Sequence, residues 1–268
     1  MKFKMVLLSC CCSIMLYTTY ASASGIVYLD TKEGMNMLTE ANGNADFASM
    51  IRFREPQRFQ TYCGVASSID VLNSLGIESS IPNPDTHPYN QFTMYSFFTK
   101  EVLDIKIPMK VQQEGIELDN LGKMLNTFAR VSATVYHAGT DNLTDLTHTR
   151  KLIADALSDK DSRVIVNFYR GALGQPGSGH FSPLAAYDEK TDRVLILDTA
   201  SYKLPPAWVS MDDMWKAMAT VDSDGAGPHM PSNRGFIIIH KMAEETFVQR
   251  LQNNTWSFFS SIRKYVFG

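Results

Sequence analysis

The stretch FSPLAAYDEKTDRVLILDT, residues 181–199, consists of two apolar runs separated by the four-residue turn EKTD at 189–192. Runs rich in β-branched and aromatic residues and bounded by turn residues are strand signals, and a connection this short joins its neighbours only as an antiparallel hairpin. Working outward, RVIVNFY (163–169), GFIIIHK (235–241), SATVYH (132–137) and the brief GIVYLD (25–30) carry the same signature. The first half of the chain is different. In YCGVASSIDVLNSLGI (62–77), Val65, Ile69, Leu72 and Leu75 recur at helical spacing and Gly76 supplies a stop, so a buried helix begins at the cysteine. A second helix is expected near 94–102. In GIELDNLGKMLNTFAR (115–130), Leu118, Leu121, Leu125 and Phe128 share one face, with Asp119 early and Lys123 late as the helix dipole prefers. Residues 144–159, capped by Thr144, and the short capped segment 210–220 give two more helices. The segment from 31 to 59 shows no strong periodicity. Helices gathered ahead of clustered strands imply an α+β fold, a helical part packed on an antiparallel sheet, rather than a parallel doubly wound one.

Composition fits one such domain. The chain has 268 residues, 44% hydrophobic and 20% charged, with a formal net charge of −3. That leaves no basic surplus for nucleic acid or an anionic membrane, so a small or neutral partner is expected. Residues 1–23 join Lys2 and Lys4 to an apolar run at 5–16 and a small-residue exit, Ala21-Ser22-Ala23, which is the three-part build of a signal peptide. An uncleaved anchor would need about 20 apolar residues, and a lipoprotein signal at Cys10 would have a stunted hydrophobic region. The expected organisation is a signal peptide over 1–23, one domain over 24–243 and an amphipathic helix over 244–268 whose Phe247, Leu251, Trp256, Phe258 and Phe259 dock on the domain. Export would end in the periplasm or outside the cell. Cys10, Cys11 and Cys12 lie in the leader, which leaves Cys63 alone in the mature protein. A solitary cysteine in an exported protein is either well buried or kept for its reactivity.

Its neighbourhood favours reactivity. A thiol with a pKa of about 8.5 is mostly protonated at neutral pH, and both a helix N-terminus and a nearby imidazolium lower that value. Cys63 has the first by position. Of the histidines, which are His87, His137, His148, His180, His229 and His240, only His180 follows a glycine-rich approach, GQPGSGH, and opens directly into an apolar strand. If 181–187 and 193–199 pair across the EKTD turn, Asp198 comes to the same end of the hairpin as His180 and can orient the imidazole. A developing oxyanion needs donors, which the Cys63 backbone N–H and a preceding side-chain amide can supply. Gln57 and Gln60 are the candidates, and a papain-like arrangement, with the glutamine six residues before the cysteine, selects Gln57.

QTYCGVASSIDVLNSLGI (60–77), GSGHFSPLAAYDEKTDRVLILDTASYKLPPAWVSMDDMWKAM (177–218) and the closing TVDS and RGF resemble the phytochelatin synthase family, specifically its short prokaryotic members. The likeness runs from about 53 to 240, and GHFSP, LD and YKLPPAWV in that order are its most specific part. The resemblance implies a papain-like fold and a triad at Cys63, His180 and Asp198, with Gln57 completing the oxyanion hole. It also implies that Asp222 of TVDS and Arg234 of RGF form the pocket for γ-glutamyl-cysteine. The implied activity is that of a glutathione γ-glutamylcysteinyltransferase. The thiolate attacks the Cys-Gly carbonyl of glutathione, glycine departs, and the thioester passes to water or to the amino group of a second glutathione, the latter giving a phytochelatin. No bound cofactor or metal site is expected, and cadmium or zinc would enter as glutathione thiolate complexes. Plant members carry a cysteine-rich C-terminal region, whereas residues 241–268 here contain no cysteine. The corresponding expectation is that metal sensing by such a region is absent and that hydrolysis exceeds extension.

Two other readings stand beside this one. A papain-like cysteine peptidase acting on other small peptides would use the same three residues. A non-catalytic thiol or metal binder finds no ligand cluster with zinc-like spacing. Asp222 and Arg234 also read as a surface salt bridge flanking a strand. The sequence leaves the oligomeric state open, a homodimer included.

Overall fold

The computed structural model describes residues 25–244, apart from 42, 45, 85, 141–144 and 223–232. The leader with Cys10 to Cys12, the helix expected beyond residue 244, Thr144 and His229 all lie outside the described residues.

The described strands form one antiparallel sheet. In chain order they are β1 (Val27–Tyr28), β2 (Val131–His137), β3 (Ser162–Tyr169), β4 (Gly179–Asp188), β5 (Arg193–Ile196), β6 (Ala207–Ser210) and β7 (Gly235–Lys241). Across the sheet the order is β1-β6-β5-β4-β3-β7-β2. The EKTD hairpin forms as expected, with Asp188 opposite Arg193 and Tyr187 opposite Val194. β6, which the sequence reading did not separate from its surroundings, pairs with β5, Leu195 facing Trp208.

The helices divide between the two faces of this sheet. On one face lie α1 (Lys32–Glu40), α2 (Phe47–Arg52), α3 (Cys63–Ser74), α4 (Lys100–Ile105), α5 (Pro108–Glu114) and α6 (Leu118–Leu125). Their apolar residues share a core with Ile165, Phe181, Ala185, Leu195, Trp208, Ile237 and Ile239. The alternate residues of the same strands, Val164, Val166, Phe168, Leu184, Val194, Phe236 and Ile238, point the other way. There α7 (Leu146–Ser158) and α8 (Met211–Met218) cover them. With both faces covered, RVIVNFY and GFIIIHK can be apolar almost throughout instead of alternating. The α+β expectation therefore holds, with a second helical layer added.

Several local expectations shift. The helix placed near 94–102 starts later, at Lys100, because the Thr99 side chain accepts from the Val102 N–H and caps it there. The segment 115–130 holds helix only over Leu118–Leu125, since Gly115, at φ +77°, terminates the unforeseen α5. α7 is capped by Asp145, whose side chain accepts from the His148 N–H. α1 and α2 fill the stretch without periodicity; they are short, and the Thr31 cap and tertiary contacts support them. α6 lies so close to β2 that a Cβ on Gly122 would come 2.3 Å from Val135 Cγ2.

The helix that opens on Cys63 is held from below by a buried contact between Arg163 and Asp46. Arg163 of β3 places Nη1 2.6 Å from Asp46 Oδ1, Nη2 2.9 Å from Ser49 Oγ and Nε 3.0 Å from Ser74 Oγ. One guanidinium thus fastens α2 and the end of α3 to the sheet. Burial pushes the Asp46 carboxyl up to about 8 against the pull of Arg163, and removing Asp46 leaves the buried guanidinium short of an acceptor where water is scarce, which costs more than the contact contributes. Asp46→Ala is therefore expected to lower the unfolding free energy by about 3–5 kcal/mol, read as a drop in urea midpoint at unchanged m-value.

Candidate active site

Cys63 is the first residue of α3, and Tyr62 before it gives no side-chain cap. The first N–H groups of the helix therefore point past the thiol, the condition under which a helix start favours a thiolate. α3 can run through the core because Gly64, Ala66, Ser67 and Ser68 are small, and the two serine hydroxyls donate to the carbonyls of Cys63 and Gly64 at 2.7 and 2.9 Å. Val65, Ile69 and Leu72 anchor its apolar side, each worth roughly 1.5–3 kcal/mol of burial. Cys63 is buried at the junction of α3 and β4, with 8% of the residue's surface accessible.

His180 arrives at the start of β4, and Asp198 just past the end of β5. His180 Nε2 lies 3.0 Å from Asp198 Oδ1. That leaves Nδ1 as the ring nitrogen that faces Cys63, which is hydrogen-bonded to this imidazole. Phe168 packs edge-on against the ring at 5.6 Å and fixes its plane. Burial is the largest influence on the thiol and pushes it up, yet the hydrogen bond and charge of His180, with the Phe181 and Gly64 backbone, bring it below its ordinary value. Burial likewise pushes the imidazolium down, and the bonds and charges of Asp198 and Cys63 raise it above its ordinary value. Asp198 is pushed up by burial but held at about 2 by His180 and Arg170. All three directions favour a thiolate–imidazolium pair beside an ionised carboxylate.

The remaining expected residues gather at the same end of the sheet. Gln57 is buried while Gln60 is exposed, which separates the two candidates. The Gln57 backbone donates to Thr199 O at 3.0 Å, and its side-chain oxygen accepts from Thr199 Oγ1 at 3.2 Å. Its amide nitrogen faces Phe59 O, Gln60 O and the Tyr202 hydroxyl at 3.1 to 3.2 Å. Asp222 and Arg234 are paired at 3.2 Å, and the arginine side chain is only 3% exposed, so this is not a surface salt bridge. Asn167 Nδ2 donates to Asp222 Oδ2 at 2.9 Å, and the Arg234 guanidinium lies 5.8 Å from the Tyr169 ring centre. Register brings this group beside His180. Asn167 pairs with Phe181 on one side and Gly235 on the other, and Tyr169 pairs with Gly179.

Sequence reasoning missed three supports. Arg170, in the 3-10 turn Arg170–Leu173 after β3, places Nη2 2.8 Å from each carboxylate oxygen of Asp198. Arg54 Nη2 donates to the Asp198 carbonyl at 2.7 Å, and Asn167 contacts Asp222 as described. The one hint of Arg170 was the glycine-rich approach itself. Gly177, at φ +123°, would place a Cβ 3.0 Å from Arg170 Cδ, so a side chain there would strain the backbone and crowd the arginine.

A family model described as phytochelatin synthase matches residues 17–236. The chain is 28% identical over 94% of its length to glutathione gamma-glutamylcysteinyltransferase 3 of Lotus japonicus, covering 50% of that protein. It is 29% identical over 86% of its length to glutathione gamma-glutamylcysteinyltransferase 1 of Arabidopsis thaliana, covering 45%. With the glutathione gamma-glutamylcysteinyltransferase of Schizosaccharomyces pombe the figures are 24%, 74% and 44%. The chain spans about half the length of the curated relatives it matches. Since the matched region takes in both helical layers, six of the seven described strands and every element that carries Cys63, His180 and Asp198, the chain belongs to the phytochelatin synthase family.

Proposed function

We propose that this protein is a papain-like glutathione γ-glutamylcysteinyltransferase in which Cys63 is the nucleophile, His180 the general acid and base, and Asp198 the group that orients the imidazole. The observation that carries the reading is the buried run from the helix-start thiol through His180 to Asp198, with the Asp222–Arg234 pair alongside it. The γ-glutamyl end of glutathione carries a free α-amino group and a free α-carboxylate. An Asp–Arg pair offers one acceptor and one donor of matching charge, and the Asn167 amide adds a neutral contact.

In this scheme the Cys63 thiolate attacks the carbonyl of the Cys-Gly bond. The oxyanion forms beside the Cys63 backbone N–H and the Gln57 amide, and His180 passes its proton to the departing glycine nitrogen. The γ-glutamyl-cysteinyl thioester then meets water or the amino group of a second glutathione, with His180 taking back the proton. Cadmium and zinc enter as substrate, carried on glutathione thiolates. The leader-like 1–23 supports action after export. Intact-mass measurement after mixing with glutathione should show a γ-glutamyl-cysteinyl adduct on Cys63, with free glycine appearing in equal amount in the first turnover. No adduct and no glycine would sink the assignment, and cleavage of α-linked peptides in preference to glutathione would replace it with a general peptidase.

A further inference from the structure

The carboxylate in this site stands in an unusual balance. Asp198 Oδ1 receives His180 Nε2 at 3.0 Å, Arg170 Nη2 at 2.8 Å and the Ala200 N–H at 2.9 Å, and Oδ2 receives Arg170 Nη2 at 2.8 Å. Arg170 is itself only 2% exposed. Its Nη1 donates to Gln175 Oε1 at 2.9 Å, its backbone N–H donates to Ser178 O at 3.0 Å, and its guanidinium lies 5.8 Å from the Phe168 ring that packs on His180. This is a built position and not a surface side chain resting on a carboxylate.

A buried carboxylate beside an imidazole binds the imidazolium tightly, and too tight a hold opposes delivery of the proton to a leaving amine. It also adds a net negative charge to a region with little water. An arginine on the far side of the carboxylate answers both. In the reactive form the charges then run minus on Cys63, plus on His180, minus on Asp198 and plus on Arg170, and they sum to zero. Among the described residues, charged groups beside this run include Arg54, which donates to the Asp198 carbonyl, Lys203, whose ammonium flanks Gly177 beside Arg170, and the Asp222–Arg234 pair beyond Tyr169.

We propose that Arg170 is a positioning residue and the fourth member of this chain, its guanidinium holding Asp198 ionised and drawing off part of its charge so that His180 keeps a proton it can still give up. The inference rests on the reading of Cys63, His180 and Asp198 as one site, but its test needs no glutathione. In protein labelled with 13C-histidine, with the His180 resonance assigned by its loss in His180→Ala, Arg170→Gln should raise the His180 titration midpoint by about one pH unit. The pH at which iodoacetamide begins to alkylate Cys63 should rise with it. Arg170→Lys should restore most of both. An unmoved or lowered His180 midpoint in Arg170→Gln overturns the proposal.

Should Arg170→Gln fail to fold, the double variant Arg170→Gln/Asp198→Asn decides. It removes both charges together, so recovery of a cooperative thermal transition supports charge balance. An equally unfolded double variant means that Arg170 serves packing alone and overturns the proposal. Shifted titrations in a protein that releases no glycine would keep this inference and sink the proposed substrate.

Discussion

Replacing Cys63 by serine is expected to abolish glycine release from glutathione, by about 10⁴-fold or more in kcat, while substrate affinity stays close to that of the parent. A serine hydroxyl at a helix start next to an imidazole does not ionise as a thiol does, because its pKa lies far above the range that these neighbours can span. The exchange removes the proposed nucleophile and little else. Serine is close to cysteine in size, so the buried position is kept, and the bond from Ser67 to the Cys63 carbonyl belongs to the backbone. His180 keeps Asp198, and the Asp222–Arg234 pair is untouched. Glycine should be followed by mass spectrometry and glutathione binding by calorimetry on the same preparation. Turnover within about tenfold of the parent would show that another group attacks the peptide carbonyl.

The second large effect concerns the thiol's ionisation. In the parent protein, reactivity towards iodoacetamide should be present above the lowered pKa of Cys63 and fall away as pH drops through it, because His180 holds the thiol below its ordinary value. In His180→Ala the burial that pushes the thiol up remains, while the bond and charge that outweigh it are gone. The midpoint should therefore move above the ordinary thiol value. Alkylation at neutral pH should fall by about 100-fold, because the thiol then stays almost wholly protonated there. Glycine release should fall further, since the proton donor for the leaving amine is lost as well. A midpoint that stays put in His180→Ala would mean that the helix start alone activates Cys63, and that His180 has some other task.

Both expectations draw on features visible at different depths. The hairpin at 181–199 was legible because its turn is four residues long and its two runs are apolar throughout, so pairing across it and the meeting of His180 with Asp198 are nearly local events. The helix start at Cys63 was legible from spacing and from the stop at Gly76. α1, α2 and α5 were not. They have nine, six and seven residues, too few for periodicity to stand out, and they persist through caps and contacts with elements far away in sequence. The second helical layer was hidden for a related reason. A run of apolar residues in a strand states that both faces are covered without naming what covers them.

The sequence by itself determined the class of fold, the helix that opens on the thiol, and the histidine and aspartate that a short turn returns to one another. Tertiary structure alone decided that Arg163 ties two helices to the sheet, and that Arg170 and Arg54 both close on Asp198. The difference is one of range. Patterns of spacing encode which side of a segment is buried and where it must stop, because those are set by backbone geometry over a few residues. The partner of a buried charge is fixed only when strands distant in sequence come into register, and Arg170 meets Asp198 because β3 and β5 both flank β4.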